Sequence, residues 1–136
     1  MTASGELKLL AIYEMGGYPN FLPLYHSLGF SVQVVNSIRK ARSLLKKEVP
    51  DVIVAEYNFQ SQFRDRTSNL ETLMATLQKY GETRVIAFYD SETAHKLALF
   101  QQHFPLYATL PYPVNEQELQ TALRSVMDNT GGYPSG

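Results

Sequence analysis

Apolar and polar positions alternate between two rhythms along this chain, and the rhythm changes five times. Leu7 to Ile12 is an apolar run that predicts a first strand. Phe21, Leu24, Tyr25 and Leu28 then recur at helical spacing, with Pro23 placed for a first turn and Gly29 for a stop. Phe30 to Val35 alternates, as a strand with one wet face does. Ser37 is the expected N-cap of a second helix carrying Ile38, Ala41, Leu44 and Leu45, ended by Pro50. Val52 to Ala55 is a continuous apolar run, the third strand, and Tyr57 to Thr67 reads as a long polar loop.

Ser68 and Glu71 form a capping box ahead of Leu70, Leu73, Met74 and Leu77, and Gly81 closes that helix. Val85 to Phe88 is the fourth strand. Asp90 or Ser91 caps a fourth helix, whose Leu97, Ala98, Leu99 and Phe100 are apolar on more than one side. Leu106 to Leu110 is a short fifth strand. Asn115 and Glu118 repeat the capping-box pattern before Leu119, Ala122, Leu123, Val126 and Met127.

Five β-α units predict an α/β fold, a doubly wound parallel sheet with helices on both faces. Strands one, three and four are apolar throughout and belong in the centre. Strand two alternates and belongs at an edge, and the short fifth strand at the other. The order 2-1-3-4-5, flavodoxin-like, satisfies all of these. A length of 136 residues suits a single domain, with an ordered core over about 7–129 and a flexible tail over 130–136.

Composition narrows the function classes. The chain has no cysteine, which removes disulfides, thiolate catalysis and cysteine metal sites. The net charge is −1, from 12 basic and 13 acidic residues, so no broad basic footprint exists and direct nucleic-acid binding is not expected. No apolar run reaches the roughly 18 residues that would span a membrane. The cytoplasm is the default location, since residues 1–8 show no secretory pattern.

Ligands of such sheets bind at the carboxyl ends of the strands, beside the point where strand order reverses. The residues at those ends are Tyr13 and Glu14, Glu56, Tyr89 and Asp90, and Tyr112. In "KLLAIYE", "PDVIVAEYN", "RVIAFYD" and "TLPYPVNEQEL" the chain resembles the receiver domain of two-component response regulators, over about Lys8 to Met127. That family ends its first strand with two acids, its third with the phosphate-accepting Asp, its fourth with Ser or Thr, and its fifth with Lys before Pro. The bond before that Pro, here Pro113, is commonly cis in the family.

The resemblance implies a degenerate phosphorylation site. Glu14 stands for the second acid and Tyr13 for the first. Glu56 replaces the acceptor Asp, Tyr89 the hydroxyl residue and Tyr112 the lysine. Phosphoryl transfer needs a positioned carboxylate and positive charge on the phosphoryl oxygens. Both are impaired here, and the expectation is a non-catalytic pseudo-receiver that signals by protein contact. Two other readings stay open: a small-ligand sensor using a tyrosine-lined cleft, and an atypical receiver still phosphorylated on Glu56.

No cofactor is expected. Glu14, Glu56 and the Asn58 carbonyl are the candidate ligands for a weakly held magnesium ion, and the plain alternative leaves the two acids solvated or held by Arg64 or Arg66. Tyr13, Tyr89 and Tyr112 either fill space left by the missing acid and lysine or form a contact surface. His95 and His103 share the fourth predicted helix without a metal-ligand spacing, and Gly16-Gly17 lacks a phosphate-loop pattern. The expected partner is a protein or a second copy, held through the face of the fourth helix, fifth strand and fifth helix. Leu97, Leu99, Phe100 and Tyr107 are the candidate contacts.

Overall fold

The computed structural model describes residues 7–14, 20–57, 69–80 and 83–130. Five strands, β1 (Lys8–Ile12), β2 (Ser31–Val35), β3 (Val52–Glu56), β4 (Arg84–Tyr89) and β5 (Ala108–Pro111), pair in parallel. Their order is β2-β1-β3-β4-β5, as the sequence predicts. The helices between and after them are α1 (Leu22–Ser27), α2 (Ile38–Leu45), α3 (Asn69–Leu77), α4 (Ala94–Gln101) and α5 (Glu116–Thr130).

Strand residues alternate between two cores. Leu9, Ala11, Val52, Val54, Ile86 and Phe88 face one side, where α1 brings Leu24 and Tyr25 and α5 brings Leu119, Leu123 and Val126. Leu10, Ile12, Ile53, Ala55, Val85 and Ala87 face the other, against Ala41 and Leu45 of α2, Leu70 and Leu73 of α3, and Leu97 and Phe100 of α4. The continuous apolar runs of β1, β3 and β4 are therefore the expected mark of strands covered on both faces. β2 is mostly exposed, consistent with its edge position.

Local chemistry sets the helix limits. The Ser37 hydroxyl accepts from the Lys40 N–H and caps α2. The Asn115 side chain accepts from the Glu118 N–H at the start of α5. Gly29 closes α1 at φ +94°, the left-handed region that favours glycine. The Phe30 N–H bonds back to Tyr25 O and the Gly29 N–H to His26 O, a Schellman stop that turns the chain directly into β2.

Four local expectations need correction or fall outside the described residues. Tyr57 does not open a polar loop: it is buried, and its ring lies 5.5 Å from that of Phe100. A 3-10 turn, Ser91–Thr93, capped by Asp90, precedes α4. His103 lies beyond the end of α4, so it does not share that helix with His95. Residues 58–68 with the first capping-box serine, Gly16-Gly17, Gly81 and the tail from 131 lie outside the described residues, and α5 itself runs to Thr130.

Candidate functional site

The backbone ladder brings the strand ends into one line. The Tyr13 N–H bonds to Val35 O, the Tyr57 N–H to Phe88 O, and the Tyr112 N–H to Tyr89 O. Glu56 pairs in register with Phe88, and Tyr89 with Pro111. The peptide bond between Tyr112 and Pro113 is cis.

Alternation then decides which side each strand-end side chain takes. Glu56 follows Val52 and Val54 onto the α1/α5 side. It is 1% exposed, the one buried polar or charged residue among those described. An acid so placed must be hydrogen-bonded or paired, because an isolated buried charge costs several kcal/mol or more.

Its surroundings are aromatic. Tyr112 packs against this core, its ring 6.3 Å from Phe88 at 71°, and Phe21 meets the Phe88 ring at 6.0 Å and 74°. These edge-to-face contacts build a floor of rings beside the carboxylate.

Burial pushes the Tyr112 phenol well above its ordinary value, and the negative charges of Glu56 and Asp90 push it further. Burial raises the Tyr13 phenol too. A backbone hydrogen bond at Phe21 opposes that rise, and Glu56 adds to it. Tyr25, fully buried beneath, is raised by burial and by Tyr13. Neutral phenols are hydrogen-bond donors, so they suit the neighbourhood of a carboxylate.

The structure thus brings together Tyr13, Glu56 and Tyr112, and it adds Phe21, Tyr25 and Phe88. It separates Tyr89, which packs with the opposite core on the α2/α3/α4 side. The three tyrosines share one end of the sheet and do not share one cleft. Glu14 is half-buried. Asn58, Arg64 and Arg66 lie outside the described residues.

Magnesium retains several waters and needs room for them. A 1% exposed carboxylate beside phenol rings fits that requirement poorly. Among the described residues no three His, Asp or Glu side chains gather as a metal site.

The expected partner face also changes. Leu97 and Phe100 point into the core, 3% and 9% exposed, because an i, i+3 pair lies on one helical stripe. Leu99, 49% exposed, lies on the opposite side of α4. Tyr107 is half-buried. Its hydroxyl hydrogen-bonds the Ser125 hydroxyl, and the Arg84 guanidinium lies 5.8 Å from its ring centre.

Solved structures share this architecture. The signal receiver domain of an HD domain-containing protein from Pseudomonas fluorescens superposes with a TM-score of 0.72 at 17% identity, covering 91% of this chain and 96% of that one. A response regulator receiver domain from Clostridium thermocellum gives 0.71 at 17% identity, over 90% and 95%. The N-terminal domain of an uncharacterized protein from Wolinella succinogenes gives 0.69 at 19% identity, over 88% and 93%. The chain has the receiver fold. No protein-family model matches the sequence, and no curated protein matches it. Among the described residues no helix is long and apolar enough to cross a membrane. Glu56 stands at the carboxyl end of β3.

Proposed function

We propose that this chain is a receiver-fold signalling module of the response-regulator type that works by protein contact and not by phosphotransfer. The observation that carries this reading is the burial of Glu56 at the acceptor position, 1% exposed and against Tyr13 and Tyr112. An incoming phosphodonor must reach a carboxylate oxygen in line, and the developing charge must meet cations. Here a phenol occupies the lysine position. Glutamate also carries its oxygens one methylene further than aspartate, and a misplacement of about 1 Å can cost about 100-fold in rate. No cofactor is assigned, and the chain is read as a non-enzyme.

The contact surface proposed is the outer side of α4 with β5 and α5. Leu99, Ala98 and His95 are exposed along α4, and Tyr107 sits half-buried between β5 and α5. This surface takes a protein partner or a second copy. Neither membrane nor nucleic acid enters this reading, and the cytoplasm is the compartment it assumes.

Incubation with acetyl phosphate and magnesium, followed by intact-mass measurement, tests the reading. No phosphoryl adduct is expected on the wild-type chain or on Glu56→Asp, because the aspartate alone restores neither cation nor access. An adduct on Glu56 would sink the reading.

A further inference from the structure

The edge strand β2 differs from an ordinary protected edge. Natural sheet edges are blunted with charge, proline or bulges. The sequence Ser31-Val32-Gln33-Val34-Val35 carries none of these. β5, at the other edge, ends in Pro111.

The ladder shows which groups the edge presents. The Ser31 N–H bonds to Leu7 O and the Tyr13 N–H to Val35 O, so the odd-numbered residues of β2 turn their amides toward β1. In a parallel pair the alternate residues turn the other way. Val32 and Val34 therefore aim both N–H and C=O outward, beyond the last strand of the sheet. Val34 is 45% exposed.

Beside this edge runs an open groove of about 680 Å³ between β2 and α2, lined by Gln33, Val34, Ser37, Arg39, Lys40 and Ser43. Arg39 and Lys40 line this groove; Arg42, further along α2, donates from its Nε to Thr76 Oγ1 of α3, Lys46 and Lys47 follow the end of α2, and no acid lies over residues 39–47. The next acid, Glu48, is ion-paired with Lys8. A chain of net charge −1 thus sets two cations, Arg39 and Lys40, in the groove beside its unprotected edge, within a stretch that carries no acid.

We infer that the β2 edge and the α2 groove dock an acidic polypeptide segment in extended conformation, which adds a strand to the sheet. Strand addition takes affinity from main-chain hydrogen bonds and specificity from alternate side chains. The outward amides of Val32 and Val34 supply the ladder, and Arg39 and Lys40 select carboxylates. A nucleic-acid backbone would use the cations and leave the ladder groups unused. A second copy paired antiparallel would set two basic α2 helices side by side. The site lies on the opposite edge of the sheet from β5 and stands whether or not the α4 surface is used.

The test is an amide NMR titration of the full chain with an end-blocked, alternating glutamate-valine hexapeptide. A lysine-valine hexapeptide and a short thymidine oligonucleotide serve as comparisons. The glutamate peptide is expected to shift the Val32 and Val34 amides together with the first turn of α2. Arg39→Glu with Lys40→Glu should weaken binding at least about tenfold. Val34→Pro should abolish it while the sheet stays folded, because proline is tolerated on an edge where the lost N–H faced solvent. Three outcomes overturn the inference: no shifts at Val32 and Val34, equal binding of the lysine peptide, or an oligonucleotide response confined to Arg39 and Lys40. Shifts at Val32 and Val34 that grow with protein concentration alone would assign the edge to a second copy instead.

Discussion

The carboxyl end of β3 and the outer edge of β2 are opposites within one sheet. At the first, where sheets of this order hold their ligands, an acid is buried beneath aromatic rings. At the second, where such sheets simply end, main-chain groups and basic side chains stand open. The contrast teaches that a shared fold fixes where strands end and leaves open which end stays accessible. Glu56 costs desolvation where it is buried, whereas the exposed cations Arg39 and Lys40 cost little in water and remain available.

Breaking the sealed region should have the largest effect. Phe88 is fully buried and meets both Phe21 and Tyr112. Phe88→Ala should lower unfolding free energy by about 3–5 kcal/mol, read from denaturant midpoints, through lost transfer energy and the cavity left behind.

Alkaline pH should loosen this region next, together with Tyr57 in the opposite core. Tyr13, Tyr25, Tyr57 and Tyr112 are all raised by burial, Tyr57 further by the charge of Glu71. The folded state then holds protons that the unfolded state loses near pH 10. Their stabilising contribution is complete below about pH 10 and is lost as pH rises through the higher folded values. Tyrosinate absorbance should show these four of the nine tyrosines ionising late, with melting temperature falling over the same range. Ionisation of Tyr13, Tyr25 and Tyr112 near pH 10 would contradict the sealed site.

Toward the open edge the effects shrink. Ser37→Ala removes the cap of α2 and should cost about 1 kcal/mol by chemical denaturation. Val34→Thr, on the edge itself, should change stability by less than about 0.5 kcal/mol. A larger loss there would mean that the edge is already covered.

Most of the fold was legible in the sequence because each rhythm of apolar residues has one structural reading. The runs at β1, β3 and β4 predict two-sided burial, and alternation in β2 predicts an edge. The site was less legible, and the reason is periodicity within elements. Val85, Ala87 and Tyr89 share one face of β4 and Ile86 and Phe88 the other, so Tyr89 had to point away from Glu56. Strand ends alone suggest three converging tyrosines, and alternation along the strands puts Tyr89 and Tyr112 on opposite sides. The same applies to α4, where Leu97 and Phe100 fall on the core stripe and Leu99 does not. Tyr57 reads as loop because its neighbours are polar, while in the fold it is buried in the core that holds Phe100. Phe21, Tyr25 and Phe88 carry signals of core residues, and nothing in their spacing tells that this core lies beneath the acid.

The measurement that bears most directly on the account is an amide NMR titration of the wild-type chain with magnesium and then with acetyl phosphate. With Glu56 sealed, neither addition should shift the amides of Glu14, Glu56 or α4. Magnesium shifts at Glu14 and Glu56 that spread into α4 when the phosphodonor is added would mean a working phosphorylation switch, and the account of a receiver fold acting by contact alone would be wrong.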